Sequence, residues 1–570
     1  MIEKNHVYKR KKNNIFSLTL LLFLVALFFI YNRTPFSNTN TLYEPFKCPA
    51  YDLIIGNDPT HIADNLIYNN SLRNDTIRKL SNLVKIPTEI YDDFNNPSQV
   101  WDDPNWEPFK RLHEQLEIDF PLIWSNLQIE KINNFSILIT WQGTITDLRP
   151  IMFAAHQDVV PVVRETWSNW KYPPFSGHFD GQYLWGRGAF DDKNMLVGIL
   201  QSLEYMLSSE PDFQPSRTII VALGFDEEAS GRYGAKYLND VLLKRYGQYG
   251  IYSIMDEGVL GLRTVEDVLV ASPSIGEKGY LNLNIDINTP GGHSSVPPDH
   301  TSIGIASTLI HEMELNKFDP TFTPINPMST FYQCVAEYSP TMDSNLKFDF
   351  ANAFNNEKSN ANVLNYLVNT DRKIEYLFRT SKAFDMINGG VKANALPEYV
   401  SILLNSRISV DSSLNVTLTN FINHAESVAK HYDLGLIFED KILLEKTESG
   451  YINMTIAVGF EPAPISPNNE VWKEFASTIK GFYQKIVLPR KFNDSNTELV
   501  ITPSIMPANT DTAKYWNLTR NIYRFQPGFT DEETMLSIHS VNERVDIDIV
   551  MEVIGFVYDY ILVSNNNDIK

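Results

Sequence analysis

The stretch Pro150–Asp158 reads PIMFAAHQD, an uninterrupted apolar run that closes on His156, Gln157 and Asp158. A run without alternation leaves no wet face, so the segment reads as a strand covered on both sides. Working outward, the same grammar returns in FSILITWQG (Phe135–Gly143), in RTIIVALGFDEE (Arg217–Glu228) and in YGIYSIMDEG within Gln248–Gly258. Between these strands, Asn194–Ser208 spaces its apolar residues as a helix does. Strands buried on both faces and separated by helices predict an α/β domain. In such sheets ligands gather beyond the polar strand ends.

A second pattern begins at YLNLNIDI (Tyr280–Ile287), whose strict alternation fits a sheet with one wet face. Ser302–Leu315 and Leu418–Lys430 read as helices, and Gly390–Arg407 holds a further strand. Phe318–Asn369, polar and rich in Asn, reads as a partly irregular insertion. Mixed character returns beyond it, with YINMTIAVG (Tyr451–Gly459) as a strand and Val471–Ile486 as a helix. The alternating segment interrupts the α/β pattern, so one domain is inserted into another.

The 570 residues, 43% of them apolar, exclude a fibrous repeat or a disordered tail and suffice for two or three domains. Lys and Arg number 48 against 69 Asp and Glu, a net charge of −21 that repels phosphate backbones and argues against nucleic acid as a partner. Cys48 and Cys334 can form at most one bridge or stay free; the count leaves both open, and neither has a metal-ligand or redox spacing. Lys9, Arg10, Lys11 and Lys12 precede Ile15–Tyr31, a run of 17 residues without a charge. Such a helix reaches roughly 25 Å, short but workable for a bilayer core of about 30 Å. It reads as a membrane anchor with its basic side cytoplasmic. The alternative is a cleaved signal peptide, against which stand the bulky residues that follow and the lack of a small-residue cleavage site. Asn69, Asn74, Asn134, Asn415, Asn453, Asn493 and Asn517 each open an N-x-[ST] triplet, which supports export.

Chemistry-bearing residues stand directly after the apolar runs: His156 and Asp158, Asp191 after the turn Gly186–Gly188, Glu227 and Glu228, Asp256, and His539. Carboxylates converging at strand ends need a cation, because a charge buried without a partner costs several kcal/mol. Asp191, Glu228 and Asp256 with a shared hydroxide balance two divalent ions, leaving neutral His156 and His539 as nitrogen donors. Mixed nitrogen and oxygen ligation suits zinc, cobalt or manganese. Glu227 is then free to act as general base, and Asp158 can accept the other N–H of the His156 ring. Asp192 and Lys193 read as a helix-start pair and His178 as a structural side chain. Glu257 reads as either outer support for the site or a solvated carboxylate.

The ordered set HQDVVPV, GRGAFDDK, GFDEEASG, DEG, PGGHSSVPP (Pro290–Pro298), GGVKANALPE (Gly389–Glu398) and HSVNERV (His539–Val545) resembles the co-catalytic dizinc peptidase and aminoacylase family over roughly residues 60–565. It is most similar there to the fungal vacuolar, membrane-anchored Gly-X carboxypeptidases. The resemblance implies an α/β/α zinc-exopeptidase domain with an inserted, smaller α+β (ferredoxin-like) lid or dimerisation domain, behind one N-terminal transmembrane helix. Its divisions are a cytoplasmic tail at 1–14, the span at 15–31, a lumenal stalk at 32–60, catalytic parts at 61–278 and 439–570, and the lid at 279–438. It implies two zinc ions: Asp191 bridging, His156 and Asp256 on one ion, Glu228 and His539 on the other. Glu227 would be the base that activates the attacking water, and Asp158 the orienting carboxylate. His293 would steady the oxyanion, in cis or from a partner subunit, while Asn394 and Arg407 would grip the substrate's terminal carboxylate. The expected activity is release of C-terminal residues from short peptides in a vacuolar lumen. The alternative is an N-acyl-amino-acid hydrolase or synthase using the same site, and a catalytically inactive receptor on this fold is a third reading.

Overall fold

The computed structural model describes residues 44–100, 103–258, 261–492, 497–529 and 531–566. The expected span Ile15–Tyr31, its basic flank, residues 32–43 of the stalk and the Asn493 triplet lie outside them. Among the described residues no helix is long and apolar enough to cross a membrane.

Strand Ile151–His156 lies in the middle of an eight-stranded sheet. Its neighbours Ile219–Gly224 and Ser253–Asp256 run parallel to it, with His156 opposite Gly224, so the polar ends of all three strands leave the sheet at one edge. Period-two geometry explains the continuous apolar runs. Ile151, Phe153 and Ala155 pack into one layer with helices Lys193–Ser209 and Ile547–Asn565. Met152 and Ala154 point the other way, into a layer with Leu238 and Leu242 of helix Ala235–Tyr246. Each fully buried Ile, Leu or Phe contributes about 1.5–3 kcal/mol, so both helical layers hold the sheet flat against the site. Helices Lys193–Ser209 and Ile547–Asn565 touch through Gly198, where an added Cβ would stand 2.4 Å from Val553 Cγ1. A larger side chain there would force them apart at about 1–3 kcal/mol.

The second sheet has six strands in the order Ala383–Gly389, Tyr399–Ile408, Gly279–Asn288, Tyr451–Phe460, Gly435–Phe438, Lys441–Leu444. Its alternating residues Leu281, Leu283, Ile285 and Ile287 face helices Ser302–Leu315 and Leu414–His431. The small sheet runs to Phe460 rather than ending at 438, because Tyr451–Phe460 pairs along Tyr280–Asn288. The Asn-rich insertion, expected to be partly irregular, carries helices at Pro327–Tyr338, Ser344–Asn352 and Glu357–Thr370 between irregular stretches. The side chains of Asn326, Asp343 and Asn356 cap those helices by accepting their first N–H groups, so much of the polar composition marks helix starts. Cys48 and Cys334 are joined in a disulfide that ties the N-terminal segment to this helical region.

Candidate active site

Asp191 stands between two imidazoles. Its Oδ1 lies 3.0 Å from His156 Nε2 and its Oδ2 lies 3.0 Å from His539 Nε2. Glu228 Oε1 is 2.9 Å from the same nitrogen of His539. On the other side of His156, Glu257 Oε1 lies 3.8 Å from Nε2. Ligand atoms of His156, Asp191 and Glu228, and separately of His156, Glu227 and Glu257, fall within 4.8 Å of one another.

Local sequence explains each placement. His156 is the last residue of a buried strand, and its ring is fixed from behind: Nδ1 is 3.1 Å from the Asp158 carbonyl oxygen and 3.4 Å from Asp158 Oδ1. Asp158 Oδ2 accepts the N–H of Glu228 at 3.0 Å, so one carboxylate orients both segments. Glu227 and Glu228 sit on a single 3₁₀ turn, Glu227–Ala229, folded over Asp226, which accepts the N–H groups of Tyr233 and Gly234. On such a turn successive side chains stand about 120° apart rather than on opposite faces as in a strand, so both carboxylates can reach the cluster. Asp191 follows a turn in which Gly188 has φ +83°, and an added Cβ at Gly188 would stand 2.5 Å from Val159 Cγ1. His539 itself has left-handed backbone, φ 56°, at a cost of order 1 kcal/mol, which aims the ring back toward Asp191.

The electrostatics show what the group lacks. Burial, and then the adjacent Glu228, push the Glu227 carboxyl well above its usual range. Burial and Asp191 do the same to Glu257. Burial and Asp191 raise Glu228 to about 6. Hydrogen bonds to Asp191 and Glu228 raise His539 to about 10. His156 is raised against the pull of burial by Asp158 and Asp191. Asp191, buried yet hydrogen-bonded to both imidazoles, is held well below the ordinary carboxylate range. Both rings are thus pulled toward their charged forms by the carboxylates crowded around them. The donor set fits divalent ions: two imidazole nitrogens, a carboxylate with one oxygen toward each, and further carboxylates on either side.

Asp256 ends strand Ser253–Asp256 with the parity of Ile254, the side His156 takes with Met152 and Ala154, and its Oδ1 accepts the N–H of Glu257 at 2.9 Å. Burial lifts its carboxyl to about 6. Glu257, the next residue, adds a carboxylate 3.8 Å from His156 Nε2. His293 and Asn394 are brought together on the small-sheet side, where Gly292–His293 pairs with Ala395–Leu396 and the Ser294 N–H reaches the Asn394 carbonyl at 3.3 Å. Both are exposed, and His293 Nδ1 bonds the Ser295 hydroxyl at 2.7 Å. Arg407, on strand Tyr399–Ile408, lies over the Tyr280 ring and donates to Asn509 Oδ1 at 2.9 Å. Lys193 is a strut, donating to the carbonyls of Leu83 and Ile86, and His178 stacks on Tyr172.

The chain matches the description "Peptidase family M20/M25/M40" over residues 152–563. Carboxypeptidase S of Saccharomyces cerevisiae is 43% identical to it over 528 residues, 91% of this chain and 90% of that protein. The N-fatty-acyl-amino acid synthase/hydrolase PM20D1 of Xenopus tropicalis is 29% identical over 501 residues, 87% of this chain and 86% of that one. Among solved structures, human carnosine dipeptidase 1 shares the fold with a TM-score of 0.58 at 13% identity, covering 91% of this chain and 100% of its own. The matched segment holds every residue of the carboxylate–histidine group from His156 to His539, and the chain belongs to peptidase family M20/M25/M40.

Proposed function

We propose that this chain is a metallocarboxypeptidase that releases C-terminal residues from short peptides of Gly-X type, with two zinc ions held by His156, Asp191, Glu228, Glu257 and His539. The observation that carries the reading is Asp191, whose two oxygens each face a different histidine across a space walled by carboxylates. Similarity to Carboxypeptidase S over nine-tenths of both chains supports the substrate class. When bound, a pair of divalent ions provides hydroxide near neutral pH and polarises the scissile carbonyl. Glu227 takes the proton of the attacking water and delivers it to the departing amine nitrogen. Asp158 keeps the N–H of His156 on Nδ1, so that Nε2 presents its lone pair to the site. His293 steadies the oxyanion from the small-sheet side. Asn394 and the guanidinium of Arg407 hold the terminal carboxylate, a group that an internal peptide bond lacks.

The small sheet then acts as the lid, inserted between catalytic segments. The basic flank and the uncharged run Ile15–Tyr31 support a single-pass type II anchor, and the resemblance to vacuolar carboxypeptidases supports a lumenal, glycosylated catalytic part. A second reading, hydrolysis or synthesis of N-acyl amino acids, is favoured by the similarity to PM20D1. A substrate panel separates the two: a blocked Gly-Leu acid, its C-terminal amide and a long-chain acyl-Phe. Fast turnover of the first alone supports the carboxypeptidase, preference for the third supports the acylase, and equal turnover of acid and amide overturns both.

A further inference from the structure

We propose that Glu543 is the positioning residue that locks the Asp191 loop to the His539 turn and so sets the spacing of the two metal positions; the inference rests on the metal reading above. The Glu543 side chain is fully buried. Its Oε1 accepts three N–H groups of one loop, from Gly188 at 2.9 Å, Phe190 at 3.1 Å and Asp191 at 3.3 Å. Its Oε2 takes Arg187 Nη1 at 2.5 Å, and its backbone carbonyl takes the N–H of Gly186 at 2.9 Å. The loop is therefore wrapped around one carboxylate, as backbone N–H groups wrap an anion. Asp191 leaves that cradle with its Oδ2 3.0 Å from the ring of His539, and His539 sits four residues before Glu543 on the same segment. The antiparallel pairing of Tyr183–Trp185 with Arg544–Asp546 holds the same two segments side by side just beyond this cradle. His156, by contrast, is fixed through its own strand and Asp158. Loosening Glu543 should thus weaken the ion on the His539 side first, within the 10–100-fold range typical of groups that support ligands without touching the metal.

Full-length protein stripped by a chelator is titrated with Co²⁺ and with Zn²⁺, following cobalt absorption. Arg187→Met/Glu543→Gln removes both charges but keeps an amide oxygen over the three N–H groups, and should load two ions nearly as the parent does. Arg187→Met/Glu543→Leu removes the acceptor, and should bind the second equivalent about 10–100-fold more weakly with an altered cobalt spectrum. Parental affinity and spectrum in that variant would overturn the inference. If it does not fold, Glu543→Asp serves, since it retains the charge but draws the oxygen back from the loop. A weakened second ion there supports the role, and an unchanged one overturns it. Parent protein that takes up no ion would sink the metal reading and the inference together, a result distinct from any variant's.

Discussion

Glu227→Gln separates chemistry from binding. The two side chains have the same shape, so the change removes a charge and a proton acceptor without altering packing. Burial and Glu228 already hold the Glu227 carboxyl well above its ordinary range, so a neutral amide relieves repulsion in the ion-free fold rather than adding it. Stability should be equal or slightly higher. A positioned acid or base is worth roughly 10²–10⁴ in rate. Glu227 acts twice, on the attacking water and on the leaving amine, so a loss of at least about 10³ is expected, equivalent to about 4 kcal/mol of barrier. The assay is turnover of a blocked Gly-Leu acid with metal content measured on the same sample. Two retained ions, a thousandfold lower kcat and little change in KM would bear out the role. Near-parental turnover, or activity that falls only in step with lost ions, would refute it.

Asp191→Asn should cost both ions together, because each histidine faces one of its oxygens; plasma emission analysis showing one ion fully retained would contradict the bridge. Glu257→Gln should weaken metal loading more than Asp256→Asn, measured by competition with a chromogenic chelator, and the reverse order would restore Asp256 as the ligand. Loading ion-free protein at pH 7 should release protons, since His539 stays protonated up to about 10 and must lose that proton to bind metal. The same shift means that the stability His539 gives the ion-free fold is complete below its unfolded value near 6.5 and disappears as pH rises through about 10. Apparent affinity should therefore climb with pH, and a flat profile between pH 6 and 9 in isothermal titration would count against this assignment. Replacing Cys48 and Cys334 by Ser should lower unfolding free energy by roughly 2–4 kcal/mol in urea melts, while leaving turnover of the Gly-Leu acid intact.

The central sheet was legible because a strand buried on both faces must be apolar at every position, and Ile151–Ala155 and Ile219–Leu223 have that signature. His156, Asp191, Glu227, Glu228 and His539 were legible as polar groups placed where such strands or their following turns end. The helices of the insertion were less legible for a physical reason: Asn326, Asp343 and Asn356 add to its polar composition, yet at a helix start they satisfy free N–H groups. Glu257, left open between outer support and a solvated carboxylate, stands 3.8 Å from His156 Nε2, a placement that composition does not report. Glu543 was beyond sequence reasoning altogether. Its partners Gly188, Phe190 and Asp191 lie about 350 residues earlier, and nothing local marks a glutamate as the anchor of a distant loop.

The two halves of the site are unequal in how firmly they are built. The His156 ring is buried at the tip of a central strand, backed by Asp158, with parallel neighbours on both sides. The His539 ring is half exposed, on a turn with left-handed backbone at His539 and again at Asn542. Preformed geometry lowers the ordering cost of binding, so the position beside His156 is ready before any ion arrives. The position beside His539 depends on a turn whose shape is carried by distant contacts. A single carboxylate, Asp191, touches both, which makes occupancy of the firm position the means by which the weaker one is held. Where Asp191 holds an ion at each of its oxygens, loading of the two would be coupled through that shared side chain.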